Sequence, residues 1–221
     1  MEKKIKIFRS LVAAIFIVVS IFSCSLVKES IALYRTPDEF TLFNTNIHIE
    51  SNNDKQFAIE IQKVIPGLMD SIEFKLHTKY KQQPEIYICN TNNSFCKFSG
   101  AKYPGPRAKV TAKGLFISPR LQRKNDWTNI VYHELVHTLM FQYLGTNRYF
   151  TIPLWFHEGV ATFVSNGGGS GDITDSIAIE EILKGNHFYP YSGFIKSYLY
   201  DTSLPPWVEY RQYMLFAMFR A

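Results

Sequence analysis

Ile130-Val131-Tyr132-His133-Glu134-Leu135-Val136-His137-Thr138-Leu139 is the stretch on which the reading of this chain turns. It holds no Gly or Pro. Asn125-Asp126, residues suited to capping a helix, precede it, and Gly145, suited to ending one, follows it. The stretch is therefore predicted to lie on a helix over 127–144. Residues four apart on a helix stand one turn above each other on the same face. His133 and His137 would thus present two imidazoles to one small cation. Glu134, next to the first of them, would face the same region and could take a proton from a water activated there.

A catalytic zinc takes three protein ligands and keeps one position open, so a third ligand is needed. The extended pattern HExxHxxGxxH is excluded, because Met140 and Tyr143 stand where Gly and His would be. The next source is Pro153-Leu154-Trp155-Phe156-His157-Glu158-Gly159-Val160-Ala161. A helix is predicted here, starting at Thr151-Ile152-Pro153 with Pro in its first turn and running to about Ser165. His157 and Glu158 on it could both reach a metal held by the first helix. Cys89 and Cys96 are poorer donors for zinc, since their spacing is not C-x₂₋₄-C and no His is near in sequence. For that pair either a disulfide or two free thiols is allowed.

The second segment adds a resemblance. HExxH followed about twenty residues later by Trp155-x-x-Glu158-Gly159-x-Ala161 resembles the gluzincin metallopeptidases, in particular the peptidase MA-like domains, over roughly residues 80–219. The resemblance implies a zincin-like fold with an edge strand beside the cleft. It implies Zn²⁺ as cofactor, His133, His137 and Glu158 as metal ligands, and Glu134 as general base for peptide-bond hydrolysis. His157 falls where that family varies and is assigned to the surroundings of the metal or to the surface. Such enzymes commonly stabilise the oxyanion with a Tyr or His from a later helix. Tyr210-Arg211-Gln212 resembles their Tyr-x-Gln segment, so Tyr210 is the first choice for that role and Tyr213 the second. A non-enzymatic alternative is a zincin-fold binding or scaffold module with weak or absent activity.

The rest of the chain is organised around these helices. With 221 residues, 46% of them hydrophobic, the chain can form one domain with a sizeable core. Residues 45–50 and 84–90 read as strands, and a helix is predicted from Asn52-Asn53-Asp54 to about Tyr80, with a kink or break at Pro66-Gly67. Residues 91–107 read as loop, and 108–112 and 115–118 as a hairpin around Lys113-Gly114. The segment Asn166–Gly171 is a flexible loop without the spacing of a phosphate-binding loop. Further helices are predicted over 174–184, 191–200 and 207–219. The order, a strand and a long helix, then strands, then helices, makes an α+β fold, with a small mixed or antiparallel sheet from the first half and a helical C-terminal half that carries the metal-binding helices. Trp155 and Phe156 are expected in the core, and His48, His77 and His187 in structural or exposed places.

The N-terminus reads as an export signal. A basic start, Lys3 to Arg9, precedes an apolar run from Leu11 to Phe22 that is short for a membrane span. Ile21-Phe22-Ser23-Cys24 resembles a bacterial lipobox, in which the Cys carries lipid; ordinary cleavage and an uncleaved anchor are the alternatives. Each places the body outside the cytoplasm, tethered to the membrane in the lipobox and anchor readings. The division is then 1–24 signal or anchor, 25–44 tether and 45–221 metallopeptidase-like domain. The formal charge is +5, but Lys3, Lys4, Lys6 and Arg9 against Glu2 supply most of it. The remainder is nearly balanced, so no nucleic-acid partner is expected and the partner class is a protein or peptide substrate.

Overall fold

The computed structural model describes residues 39–51, 55–103, 105–170 and 173–184. Five strands form one mixed sheet: β1 (Phe40–Leu42), β2 (Ile47–Glu50), β3 (Ile86–Ile88), β4 (Ala108–Thr111) and β5 (Gly114–Ile117), in the order β1-β2-β3-β5-β4. The centre is parallel, β2 with β3 and β3 with β5, while β1 and β4 run antiparallel at the two edges. Among the described residues five helices accompany the sheet: α1 (Lys55–Leu76), α2 (Asn92–Ser99), α3 (Trp127–Tyr149), α4 (Leu154–Val164) and α5 (Asp175–Leu183). The fold is α+β, with strands in the first half and the long helices that carry HExxH and Glu158 in the second.

Alternation along the strands sorts the core into two layers. Ile47, Ile49, Ile86, Ile88, Leu115 and Ile117 face α1 and α3, whose Ile61, Ile65, Ile72, Val131, Leu135 and Val136 complete the main core. The opposite face carries a row in register across three strands, His48, Tyr87 and Phe116. Their rings stack, with centroids 4.6 Å apart at each step. Phe95 and Phe98 of α2 share the second cluster with Tyr87 and Phe116, and His48 Nε2 lies 2.6 Å from a Glu85 carboxylate oxygen.

Several expectations are corrected. Phe40–Leu42 lies in the stretch read as tether but pairs with β2, so the folded unit starts before residue 45. α1 ends at Leu76 and runs through Pro66 without a break. Pro66 and Gln62, whose carbonyl loses its helical donor there, both sit on the exposed face, where water can satisfy the carbonyl. Ile61, Ile65, Met69 and Ile72 hold the buried face in place on either side. Residues 92–99, read as loop, are helical. Thr91 and Ser94 form a reciprocal capping box, and Gly100 closes the helix at φ 67°. Asp126 stands at the N-cap of α3 but makes no side-chain cap bond; its carboxylate lies 3.6 Å from Arg107. Trp155 is half-buried and Phe156 is 39% exposed, so this pair is not in the core. Cys89 and Cys96 are free thiols. Among the described residues no helix is long and apolar enough to cross a membrane. The expectations placed on residues 1–24, 191–200 and 207–219, including Tyr210 and Tyr213, lie outside the described residues, as does His187.

Candidate metal centre

The centre of α3 is buried on the face that meets the sheet and α4, and His133 and His137 lie one turn apart within it. Gly145 bends the end of α3, adopting φ 69° and ψ 168° inside the helical run, and one further turn reaches Tyr149. Pro153 then starts α4, whose small buried residues Gly159 and Ala161 let it lie close to α3. Glu158 is thereby carried to the two imidazoles.

Three donor atoms converge. His133 Nε2 and His137 Nε2 are 3.0 Å apart, and Glu158 Oε2 lies 3.1 Å from the first and 3.4 Å from the second. Donors around a tetrahedral zinc, each at about 2.0–2.1 Å from the ion, stand about 3.3 Å from one another. The observed triangle has that size. Its chemistry fits as well, because two imidazole nitrogens and a carboxylate oxygen converging on one point are the donor set of a divalent cation. His133, His137 and Glu158 are the one group of three such side chains, among the described residues, that could hold a metal ion.

The electrostatics agree with this. Burial alone would raise the Glu158 carboxyl, but the charges and hydrogen bonds of His137 and His133 outweigh it and hold the group well below the usual carboxylate range. Burial alone would lower His137, yet the charge and hydrogen bond of Glu158, with Glu134 adding to them, raise it above an ordinary histidine. Without a metal, then, the cluster favours a proton as its cation.

Glu134 is half-buried, and its carboxyl is raised. Desolvation is the main cause, with Glu158 adding to it, while the two imidazoles and a hydrogen bond from the Val110 backbone N–H oppose it. That amide belongs to β4, which stands at the edge of the sheet among the described residues, so Glu134 lies between the His133–His137–Glu158 group and that edge.

Two neighbours complete the site. Tyr149 Oη lies 3.0 Å from His137 Nδ1, and the Tyr149 ring packs against His157 and Phe141 at 5.1 and 4.7 Å between centroids. Burial, reinforced by the charges of Glu158 and Glu134, raises the Tyr149 phenol, which stays neutral. When His137 offers Nε2 to a metal, its Nδ1–H donates to Tyr149 Oη, which fixes tautomer and ring orientation. His157 is buried at the edge of the His137 ring, which removes the surface reading. Desolvation is the chief reason its imidazole is lowered to about 4, so it is neutral at pH 7.

Sequence reasoning brought His133, His137, Glu134 and Glu158 together, and the structure juxtaposes all four. It missed Tyr149. The signal was the Gly145 bend, which turns the chain back toward the site just before an aromatic residue. Comparisons with protein-family models, with curated proteins and with solved structures gave no match to this chain.

Proposed function

We propose that the protein is a zinc-dependent peptidase of the gluzincin type, with a zincin-like fold. The supporting observation is the triangle of His133 Nε2, His137 Nε2 and Glu158 Oε2 at 3.0–3.4 Å, with the Glu134 carboxylate beside it against an edge strand. In this reading His133, His137 and Glu158 hold Zn²⁺. Zinc there supplies Lewis acidity, polarising a carbonyl and making water acidic enough to lose a proton near neutral pH.

The chain's own groups handle the protons. Glu134 accepts one from the attacking water and passes it to the leaving amine. Its raised carboxyl suits this, because a base poised closer to neutral returns the proton more readily. The Val110 N–H, which stabilises the ionised Glu134, is placed to orient it. Tyr149 holds His137 in the tautomer that leaves Nε2 available. Beside the cleft, β4 offers backbone groups along which a peptide can lie extended. A structural zinc site fits less well, since such sites favour four ligands rich in Cys and this group has three with none. With the export-type N-terminus, the proposed place of action is outside the cytoplasm, on a membrane-tethered protein.

The test is metal analysis beside hydrolysis. The purified chain is expected to bind about one zinc, and Glu134→Gln to keep the zinc while losing roughly 10²–10⁴-fold in turnover of a generic peptide library. Glu158→Ala is expected to lose the metal, and His157→Ala to retain it. A zinc-loaded wild-type protein that cleaves nothing in that library would overturn the peptidase reading in favour of a binding or scaffold role.

A further inference from the structure

Between Ile86 and Asn125 the sequence holds eight Lys or Arg and no Asp or Glu. Two of the eight lie apart from the others: Lys97 pairs with Glu39, and Lys113 sits in the β4–β5 turn. The other six, Lys102, Arg107, Lys109, Arg120, Arg123 and Lys124, fall in β4 or in the loops before β4 and after β5. These loops are joined. Arg120 Nη1 donates to the Gly105 carbonyl at 3.2 Å, and the Ser118 N–H donates to the Arg107 carbonyl at 2.9 Å. Lys102, Arg120, Arg123 and Lys124 are exposed, and Arg107 and Lys109 are half-buried. Asp126, 3.6 Å from Arg107, is the single acidic residue in the sequence between Glu85 and Glu134.

This basic rim is aligned with the cleft. The Val110 N–H meets Glu134, and Arg107 lies three residues earlier on the same strand line, roughly 10 Å away. Thr111 pairs with Gly114 at the close of a two-residue hairpin loop. The antiparallel alternation then turns the backbone groups of Lys109 and Arg107 toward β5, and those of Ala108 and Val110 toward the free edge. The Ser118 to Arg107 bond obeys that alternation. A segment lying extended along β4 would set the side chain opposite Lys109 on the same face as the Lys109 ammonium, within reach of it.

We propose that the rim selects acidic protein segments, in which Asp or Glu at alternating positions, two to four residues from the reacting bond on one side, meet Lys109, Arg107 and Arg120. The strand geometry favours a peptide over other polyanions, because a peptide offers carboxylates at a two-residue repeat beside a β edge that, among the described residues, pairs with no further strand. The location relative to the reacting bond rests on the peptidase reading. The selection of acidic segments does not, and binding can be measured without turnover.

The experiment uses the full chain, zinc-loaded and carrying Glu134→Gln, in a non-ionic detergent. Fluorescence anisotropy compares an acidic dodecapeptide, a neutral one of matched length and a DNA oligonucleotide of matched charge. The acidic peptide is expected to bind roughly tenfold tighter than the neutral one, with the preference weakening in high salt. Arg107→Gln with Lys109→Gln and Arg120→Gln is expected to abolish the preference, and Arg107→Lys with Lys109→Arg and Arg120→Lys to keep most of it. A second triple variant, Lys102→Gln with Arg123→Gln and Lys124→Gln, changes exposed side chains only and is expected to reduce the preference. Equal binding of acidic and neutral peptides overturns the proposal. So does an oligonucleotide that binds as well as the acidic peptide, or a preference that survives in both glutamine variants. If the preference is present while unsubstituted zinc-loaded protein hydrolyses no peptide, the peptidase reading fails and the acidic-segment site stands.

Discussion

Tyr149 and His137 meet through one hydrogen bond of 3.0 Å, which in the proposed site would hold the His137 tautomer that leaves Nε2 free for the metal. Tyr149→Phe removes the acceptor and little else, and is expected to weaken zinc binding 10–100-fold while leaving the fold intact. Competition with a chromophoric chelator would measure this. A second expectation follows from protons. Burial alone would lower His137, but Glu158, with Glu134 adding to it, raises it above an ordinary histidine, so the metal-free cluster holds a proton to higher pH than a free imidazole would, and zinc must displace that proton. Glu158 is held low and stays ionised through the same range. Zinc affinity should therefore rise with pH, by up to about tenfold per unit, until His137 has lost its proton in the metal-free protein. Calorimetry in buffers of different ionisation enthalpy would show the released proton, and an affinity flat between pH 6 and 8 would contradict it. The four acidic and imidazole groups were legible in the sequence because helical period alone brings His133 and His137 together, and Glu158 follows on the next helix. Tyr149 was not, because its position depends on the bend at Gly145, and no local repeat announces where a bent chain will point.

At the scale of elements, α1 is informative because it tolerates a residue that the sequence marks as a breaker. Its buried side is continuous across Pro66, and the lost bond falls where water replaces it. Pro66→Ala should restore a backbone hydrogen bond at an exposed position. It is expected to stabilise the protein by about 1–2 kcal/mol, less than the full cost of a helical proline because the unfolded chain also gains freedom. A urea midpoint would register the change. Two further elements were hidden in the sequence for different reasons. α2 has a capping box at Thr91 and Ser94 and a glycine stop at Gly100, both readable, but its Asn- and Ser-rich composition outweighed them. β1 is three residues long, too short for alternation to show, and exists because β2 offers it an edge. The hairpin was placed to within a residue. Gly114 proves to be its first strand position after the turn, at φ 147°, where a Cβ would come within 2.2 Å of the Glu85 carbonyl oxygen.

For the molecule as a whole, the α+β class was legible because the described strands all fall before residue 118 and the helices that carry HExxH and Glu158 follow them. The strand order β1-β2-β3-β5-β4 was not legible, because it depends on which edges remain free after the crossovers. That order leaves β4 at the margin, next to Glu134. The metal should also act on the stability of the entire chain. Because its ligands come from two separate helices, zinc is expected to bind the folded form alone, adding about 2.7 kcal/mol when free zinc is a hundredfold above its Kd. Thermal melts with and without chelator would show it.

The way α4 is attached carries one more consequence. That helix rests chiefly on α3 and α1, and it is reached through the short connector at 150–153 after the Gly145 bend. A cation held by His133, His137 and Glu158 would work as a clasp across this joint. Withdrawing it would leave Glu158 facing two imidazoles with only a proton to share, and the joint would be expected to loosen. Limited digestion should then cut first near Phe150, 64% exposed at the connector, and zinc should protect that bond before any other.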